Sequence, residues 1–181
     1  MSKKPVPRNI LVAGIPGSGK TTYCQWLEQE KGFLHLGFDE LLNGRGTRPK
    51  LSLIQHLGHT AEEFVCAISG KKQPIVIDWG FPVGGLTLVR LFKESGFAIW
   101  WFDGDRNAAR ESFVRRGTED RSLDAFTAQM QSIEKGWLPI KDVIGDNIIN
   151  TVSAGPTHVT AESIYERMFS RCASRTERTN G

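Results

Sequence analysis

Cysteine is scarce in this sequence of 181 residues. Cys24, Cys66 and Cys172 are far apart and outside any C-x-x-C spacing, so neither a disulfide framework nor a cysteine zinc site is expected, and all three read as reduced packing residues. Histidine is scarce too: His35, His56, His59 and His158 show no metal spacing with one another or with the cysteines, and no chemistry is assigned to them. No apolar run approaches the ~18 residues that span a bilayer. The opening MSKKPVPR is basic, but the apolar stretch after it is short and ends in glycine, which does not make a secretory signal. A cytoplasmic protein with no membrane partner is the expectation. Neither sign of charge dominates, and a net charge of +3 is too small to imply a nucleic-acid partner by itself. Repeats and compositional breaks are absent as well, which leaves one domain.

What is present is an ordinary globular balance, 39% apolar and 24% charged residues, in a chain long enough for one core. Short β-branched or aromatic runs alternate with helical spacing. NILVAG (9–14), FLHLGFD (33–39), PIVID (74–78), FAIWWFD (97–103) and NIINTV (147–152) read as strands. Between and after them, helices are expected over 19–32, after a capping box of Thr60 and Glu63, and over 86–96, 106–117, 122–136 and 160–169. Asp105 is placed to cap the helix after the fourth strand. Such alternation predicts an α/β fold in three layers, a parallel sheet covered on both faces. The expected domain covers residues 9–170, with 1–8 and 171–181 as flexible ends. Adjacent Trp100 and Trp101 should face opposite sides of the sheet as core residues.

Gly14-Ile15-Pro16-Gly17-Ser18-Gly19-Lys20-Thr21 satisfies G-x-x-x-x-G-K-[ST], and it stands after a strand and at the start of a helix. Glycines let the backbone turn its N–H groups inward around phosphates, and the helix start adds unpaired donors and a positive dipole end. Lys20 is suited to hold the β and γ phosphates, and Thr21 to offer its hydroxyl to Mg²⁺, with Thr22 next in the loop's reach. Asp39, Asp78 and Asp103 each close a strand. In a parallel sheet those ends lie on the edge where a phosphate loop sits.

This stretch is similar to the P-loop of the P-loop nucleoside triphosphatases, and the chain resembles a small P-loop kinase of the AAA-type ATP-binding grouping. The likeness to polynucleotide-kinase-like and zeta-toxin-like kinases is carried by GIPGSGKT, by GFDELL and by FDGDRNAARESF. Shikimate, gluconate and chloramphenicol kinases share the layout. The resemblance implies a five-stranded sheet in the order 2-3-1-4-5, with ATP and Mg²⁺ as cofactors. Asp39 then stands where such kinases carry the aspartate that takes the proton from the acceptor hydroxyl, and Asp78 where an acid orients Mg²⁺ or its water. Both acids can also be read as turn or helix caps, which is the expected duty of Asp103 and Asp105. Arg110, Arg115, Arg116 and Arg121 fall where related kinases place a lid, around residues 110–135. Arg115 or Arg116 is the expected clamp on the transferred phosphoryl, unless the four form a solvated helix face.

Departures from the pattern narrow the reading. VIDWGFP resembles the DGFPR of adenylate kinases, but Val83 replaces their arginine. N-K-x-D is missing, as is D-x-x-G after the third strand, so adenine is expected over guanine, read by the loop TVSAGPTHV (151–159). Acceptor choice is expected in residues 40–60 and at Trp79, whose ring could stack on a base or sugar. Arg45, Arg48 and Lys50 suit an anionic acceptor, a nucleotide or a nucleic-acid end, if they are not simply solvated. The expected activity is transfer of the γ-phosphoryl of ATP to a hydroxyl. The alternatives are an ATP-binding switch or ATPase without an acceptor, and a nucleic-acid-binding ATPase.

Overall fold

A computed structural model describes residues 9–38, 61–81, 83–115, 122–154 and 159–175. Among them five parallel strands, β1 (Asn9–Gly14), β2 (Leu34–Gly37), β3 (Ile75–Asp78), β4 (Ala98–Gly104) and β5 (Ile148–Val152), form one sheet in the order β2-β3-β1-β4-β5. The order and the parallel sense are those the sequence predicts. Around the sheet lie α1 (Lys20–Lys31), α2 (Ala61–Ser69), α3 (Leu86–Glu94), α4 (Arg106–Val114), α5 (Leu123–Lys135), α6 (Trp137–Ile144) and α7 (Ala161–Arg175).

Two-residue alternation sorts each strand between two cores. Leu11, Ala13, Ile75, Ile77, Ile99 and Trp101 face the layer of α2 to α6, where Val65, Val89, Phe92, Phe113, Phe126 and Ile140 close over them. Ile10, Val12, Val76, Trp100 and Phe102 face α1 and α7, meeting Tyr23, Leu27, Ile164 and Met168. The neighbouring tryptophans therefore divide between the faces, as expected, each 1% exposed. Cys24 is buried in the second core, and burial pushes its thiol well above the ordinary value, an inert state.

Trp79 is a correction. It continues the row of Ile75 and Ile77 instead of that of Asp78, and its ring lies in the core 4.2 Å from Phe38 and 5.6 Å from Phe81. Gly85 makes room for it, since a Cβ there would press on the indole. A buried ring is not available to stack on a ligand. Helix α6 was not foreseen in WLPIKDVI, where Pro139 reads as a breaker. It falls in the first turn, where the missing N–H has no intrahelical partner to lose. Helix α7 runs to Arg175, five residues past the expected domain boundary. SRCASR contains neither glycine nor proline, so nothing local stops the helix at 170.

Candidate active site

The loop between β1 and α1 is built by backbone shape. Gly17 has φ 76°, and a Cβ on it would collide with the carbonyl oxygen of Ala109 in α4. Gly19 has φ 80° and sits at the N-cap of α1 with no capping side chain, so the first turn presents its N–H groups and positive dipole end to the loop. Ser18 Oγ donates to Ile15 O at 2.8 Å and closes the turn internally. From the far side, Thr151 Oγ in β5 donates to Ser18 O at 2.8 Å. Lys20 Nζ curls over the loop and donates to Gly14 O at 3.1 Å and Ile15 O at 2.8 Å. A phosphate at this turn would meet inward amides and a cation already at the loop.

At the second residue of α1, Thr21 Oγ donates to Asp78 Oδ2 at 2.6 Å. Asp78 closes β3 and is largely buried. Its second oxygen, Oδ1, lies 2.9 Å from His35 Nε2. Facing a carboxylate, that ring nitrogen must carry the proton. Burial alone would raise the Asp78 carboxyl, but the hydrogen bonds from His35 and Thr21 and the positive charge of Lys20 outweigh it and hold the carboxyl below its ordinary value. The group is therefore an anion at neutral pH, with both oxygens oriented. Thr21 and Asp78, the pair expected to serve Mg²⁺, are in direct contact, and a hydroxyl and a carboxylate are hard oxygen donors of the type that ion takes.

His35 is the residue that sequence reasoning missed. Metal spacing was the wrong filter for it. The usable signal was a polar residue between Leu34 and Leu36 in a strand buried on both faces. Gly37 pairs in register with Asp78 and brings no side chain, so its neighbour on the same face, His35, reaches the carboxylate.

Two cavities flank the loop. One, of 310 Å³, lies on the α1 and α7 side and is lined by Gly17, Gly19 and Thr22 of the loop and helix, Ser112 of α4, and Val152 and Val159 around the loop after β5. Tyr23 also lines it, stacked at 5.8 Å on Trp26, with its hydroxyl buried and without a hydrogen-bond partner. The other, of 270 Å³, lies on the opposite face of the sheet, between Ile15, the end of β4 and helices α5 and α6. Asp103 stands at its edge, accepting from its neighbour Gly104 N and pairing with Arg106. The capping duty expected of both acids falls to Asp105 alone, which accepts from Ala108 N at 2.8 Å.

The remaining expected site residues divide. Ile15 and Pro16 complete the loop between Gly14 and Gly17. Arg115 is exposed at the C-cap of α4, on an open hollow shared with Arg110 and Leu123; no described contact joins it to the loop. Asp39, Arg116 and Arg121 lie outside the described residues, as do Thr60, the basic stretch with Arg45, Arg48 and Lys50, and residues 155–158 of the loop after β5. Among the described residues no helix is long and apolar enough to cross a membrane.

No protein-family model matches the chain, and no curated protein does. Solved structures do match over nearly the whole length. A gluconokinase from Sinorhizobium meliloti 1021 superposes with a TM-score of 0.56 at 18% identity, covering 97% of this chain and 98% of that one. A shikimate kinase from Acinetobacter baumannii in complex with shikimate gives 0.57 at 13% identity, covering 92% and 93%. The tunicamycin resistance protein of Deinococcus radiodurans gives 0.57 at 13% identity, covering 91% and 94%. Strand order, helix layers and phosphate loop agree: the chain has the fold of the small P-loop kinases.

Proposed function

We propose that this protein transfers the γ-phosphoryl group of ATP to a hydroxyl of a small molecule. The observation that supports the reading most is the 2.6 Å bond from Thr21 to Asp78, which joins the end of the phosphate loop to a buried carboxylate at the edge of the sheet. Mg²⁺, when bound by Thr21 and Asp78, would neutralise phosphate charge. Lys20 would leave the carbonyl oxygens of Gly14 and Ile15 for the β and γ phosphates. The 310 Å³ cavity beside the loop suits the base, with Val152 and Val159 as walls. Adenine in that place agrees with the absence of N-K-x-D.

In the reaction, the acceptor oxygen bonds to the γ phosphorus while the bond to the β–γ bridging oxygen breaks. ADP leaves with that electron pair. The hydroxyl proton passes to Asp39, which follows Phe38 directly at the end of the second strand segment. Arg115 or Arg116, closing from the end of α4, would stabilise the charge on the equatorial oxygens and exclude water. Neighbours of this fold include proteins named as kinases of small hydroxylated molecules, which supports the class of reaction.

The test is ADP release with ATP and Mg²⁺ over a panel of sugars, sugar acids, nucleosides, nucleotides, 5′-hydroxyl oligonucleotides and hydroxylated antibiotics, with Lys20→Ala as the blank. One acceptor should raise turnover well above the acceptor-free rate. A flat panel beside measurable ATP binding would replace the kinase reading by a switch or ATPase.

A further inference from the structure

We infer that His35 is a positioning residue for the magnesium of the bound nucleotide: from β2 it locks the Asp78 carboxylate against Thr21, and Glu28 of α1 holds it there. The inference rests on the assignment of Mg²⁺ to Thr21 and Asp78 under the phosphotransfer reading, and adds to it the residues that set the pair.

His35 is only 3% exposed, in a strand of four residues whose other members are Leu34, Leu36 and Gly37. Leucine or valine would serve the core better there, since a buried polar ring costs free energy until its nitrogens are satisfied. Strand register supplies the reason for the histidine. Gly37 pairs with Asp78 and His35 with Val76, so His35, Val76 and Asp78 lie on one face of the sheet, the face covered by α1. The glycine brings no side chain to the flank of the carboxylate. The imidazole takes that place, with Nε2 2.9 Å from Oδ1.

Helix α1 grips the pair at two points. Thr21 donates to Asp78 Oδ2 at 2.6 Å, and Glu28 Oε1 accepts from the backbone N–H of His35 at 3.2 Å. Seven residues separate Thr21 from Glu28, close to two helical turns, so both project from one side of α1. Among the described residues β2 is an edge strand, and Glu28 supplies the acceptor that a further strand would have given its N–H. A closed circuit results, from α1 through Thr21, Asp78, His35 and Glu28 back to α1.

The circuit suits a cation. By giving its one hydrogen to Asp78, the Thr21 hydroxyl keeps its lone pairs for a metal. An imidazole can donate from Nε2 without a net charge of its own, so it holds the other oxygen without setting a fixed positive charge beside the ion, as lysine or arginine would. Carboxylates at metal sites depend on such partners for their orientation, and losing one lowers metal affinity or activity about 10- to 100-fold.

The experiment is calorimetric titration of a non-hydrolysable ATP analogue into the full chain, once with Mg²⁺ and once with EDTA, for the wild type, His35→Leu, His35→Gln and Glu28→Ala. The ratio of the two affinities is the part of binding that the metal supplies. His35→Leu should reduce that ratio about tenfold and leave the affinity in EDTA unchanged. His35→Gln, whose amide nitrogen can reach the place of Nε2, should recover most of it. Glu28→Ala should reduce the ratio roughly two- to threefold, and should add nothing in the His35→Leu background, because it acts through that residue. If His35→Leu does not fold, Glu28→Ala at its half-buried position carries the test. Equal losses with and without Mg²⁺ would make His35 a core residue only and overturn the assignment, as would an unchanged ratio. A wild type whose nucleotide affinity ignores Mg²⁺ overturns it together with the metal pair. A ratio that falls in His35→Leu beside a flat acceptor panel would keep the positioning role and remove phosphotransfer. Transfer to an acceptor with the ratio intact in His35→Leu would do the reverse.

Discussion

The two cavities beside the phosphate loop are nearly equal in volume, 310 and 270 Å³, and differ in how they are made. The first borrows loop residues that are almost consecutive, Gly17, Ser18, Gly19 and Thr22, and adds apolar walls from α7 and the end of β5. The second joins Ile15 of the loop to side chains from β4 and helices α4, α5 and α6, with two indoles and three charges among them. Backbone dominates one and side chains the other. A group common to all nucleoside triphosphates can be held by main-chain amides, whereas a particular molecule has to be recognised by side chains. Each cavity is lined by one residue with an unsatisfied buried polar atom, the hydroxyl of Tyr23 and the indole nitrogen of Trp101.

Substitutions should separate the two sides. Lys20→Ala serves both and should have the largest effect, lowering kcat/KM about 1,000-fold in the ADP-release assay, as removal of a main phosphate cation does. Asp39→Ala should lower kcat by at least ~100-fold through loss of the positioned base. Nucleotide affinity, followed by titration calorimetry, should be unchanged; full transfer in this variant would assign the base elsewhere. Tyr23→Phe removes a buried hydroxyl that does not open on the nucleotide-side cavity, and should leave KM for ATP unchanged. Thermal stability of that variant without nucleotide should be equal or higher, because an unsatisfied buried hydroxyl is removed. A raised KM for ATP instead would show that the hydroxyl does reach the nucleotide.

The smallest effect concerns Asp78 and acid. Its folded carboxyl titrates below its unfolded value. Its contribution to stability is therefore complete above the unfolded value of about 4 and is lost as pH falls through the lower folded value. Thermal melts of the wild type should decline more steeply below about pH 4 than those of Asp78→Asn, which lacks the titrating group. Parallel curves would show that the contacts with His35 and Thr21 add no stability.

The difference between the cavities also explains what could be read from the sequence. The phosphate loop was legible because its eight residues are contiguous and each has a conformational or chemical reason. The sheet order and the split of Trp100 from Trp101 followed from the loop's family resemblance and from strand alternation. Alternation applied one step further would have put Trp79 with Ile75 and Ile77 in the core, but the turn-like DWGFP drew attention to the sheet edge instead. His35 was invisible to a search for metal spacing because its partner is 43 residues away, in the neighbouring strand. The second cavity could not be read at all, since Ile15, Trp101, Glu134 and Trp137 meet only through packing. Asp103, expected to cap a helix, faces it for the same reason.

Thr151 joins the two sides through one atom. Its hydroxyl lies 2.8 Å from the carbonyl oxygen of Ser18, beside the first cavity, and 3.3 Å from that of Asp103, at the second. A hydroxyl has a single hydrogen, so drawing it closer to one carbonyl weakens its hold on the other. Occupancy on either side that shifts its carbonyl is then felt by the other with equal free energy, because such coupling is reciprocal.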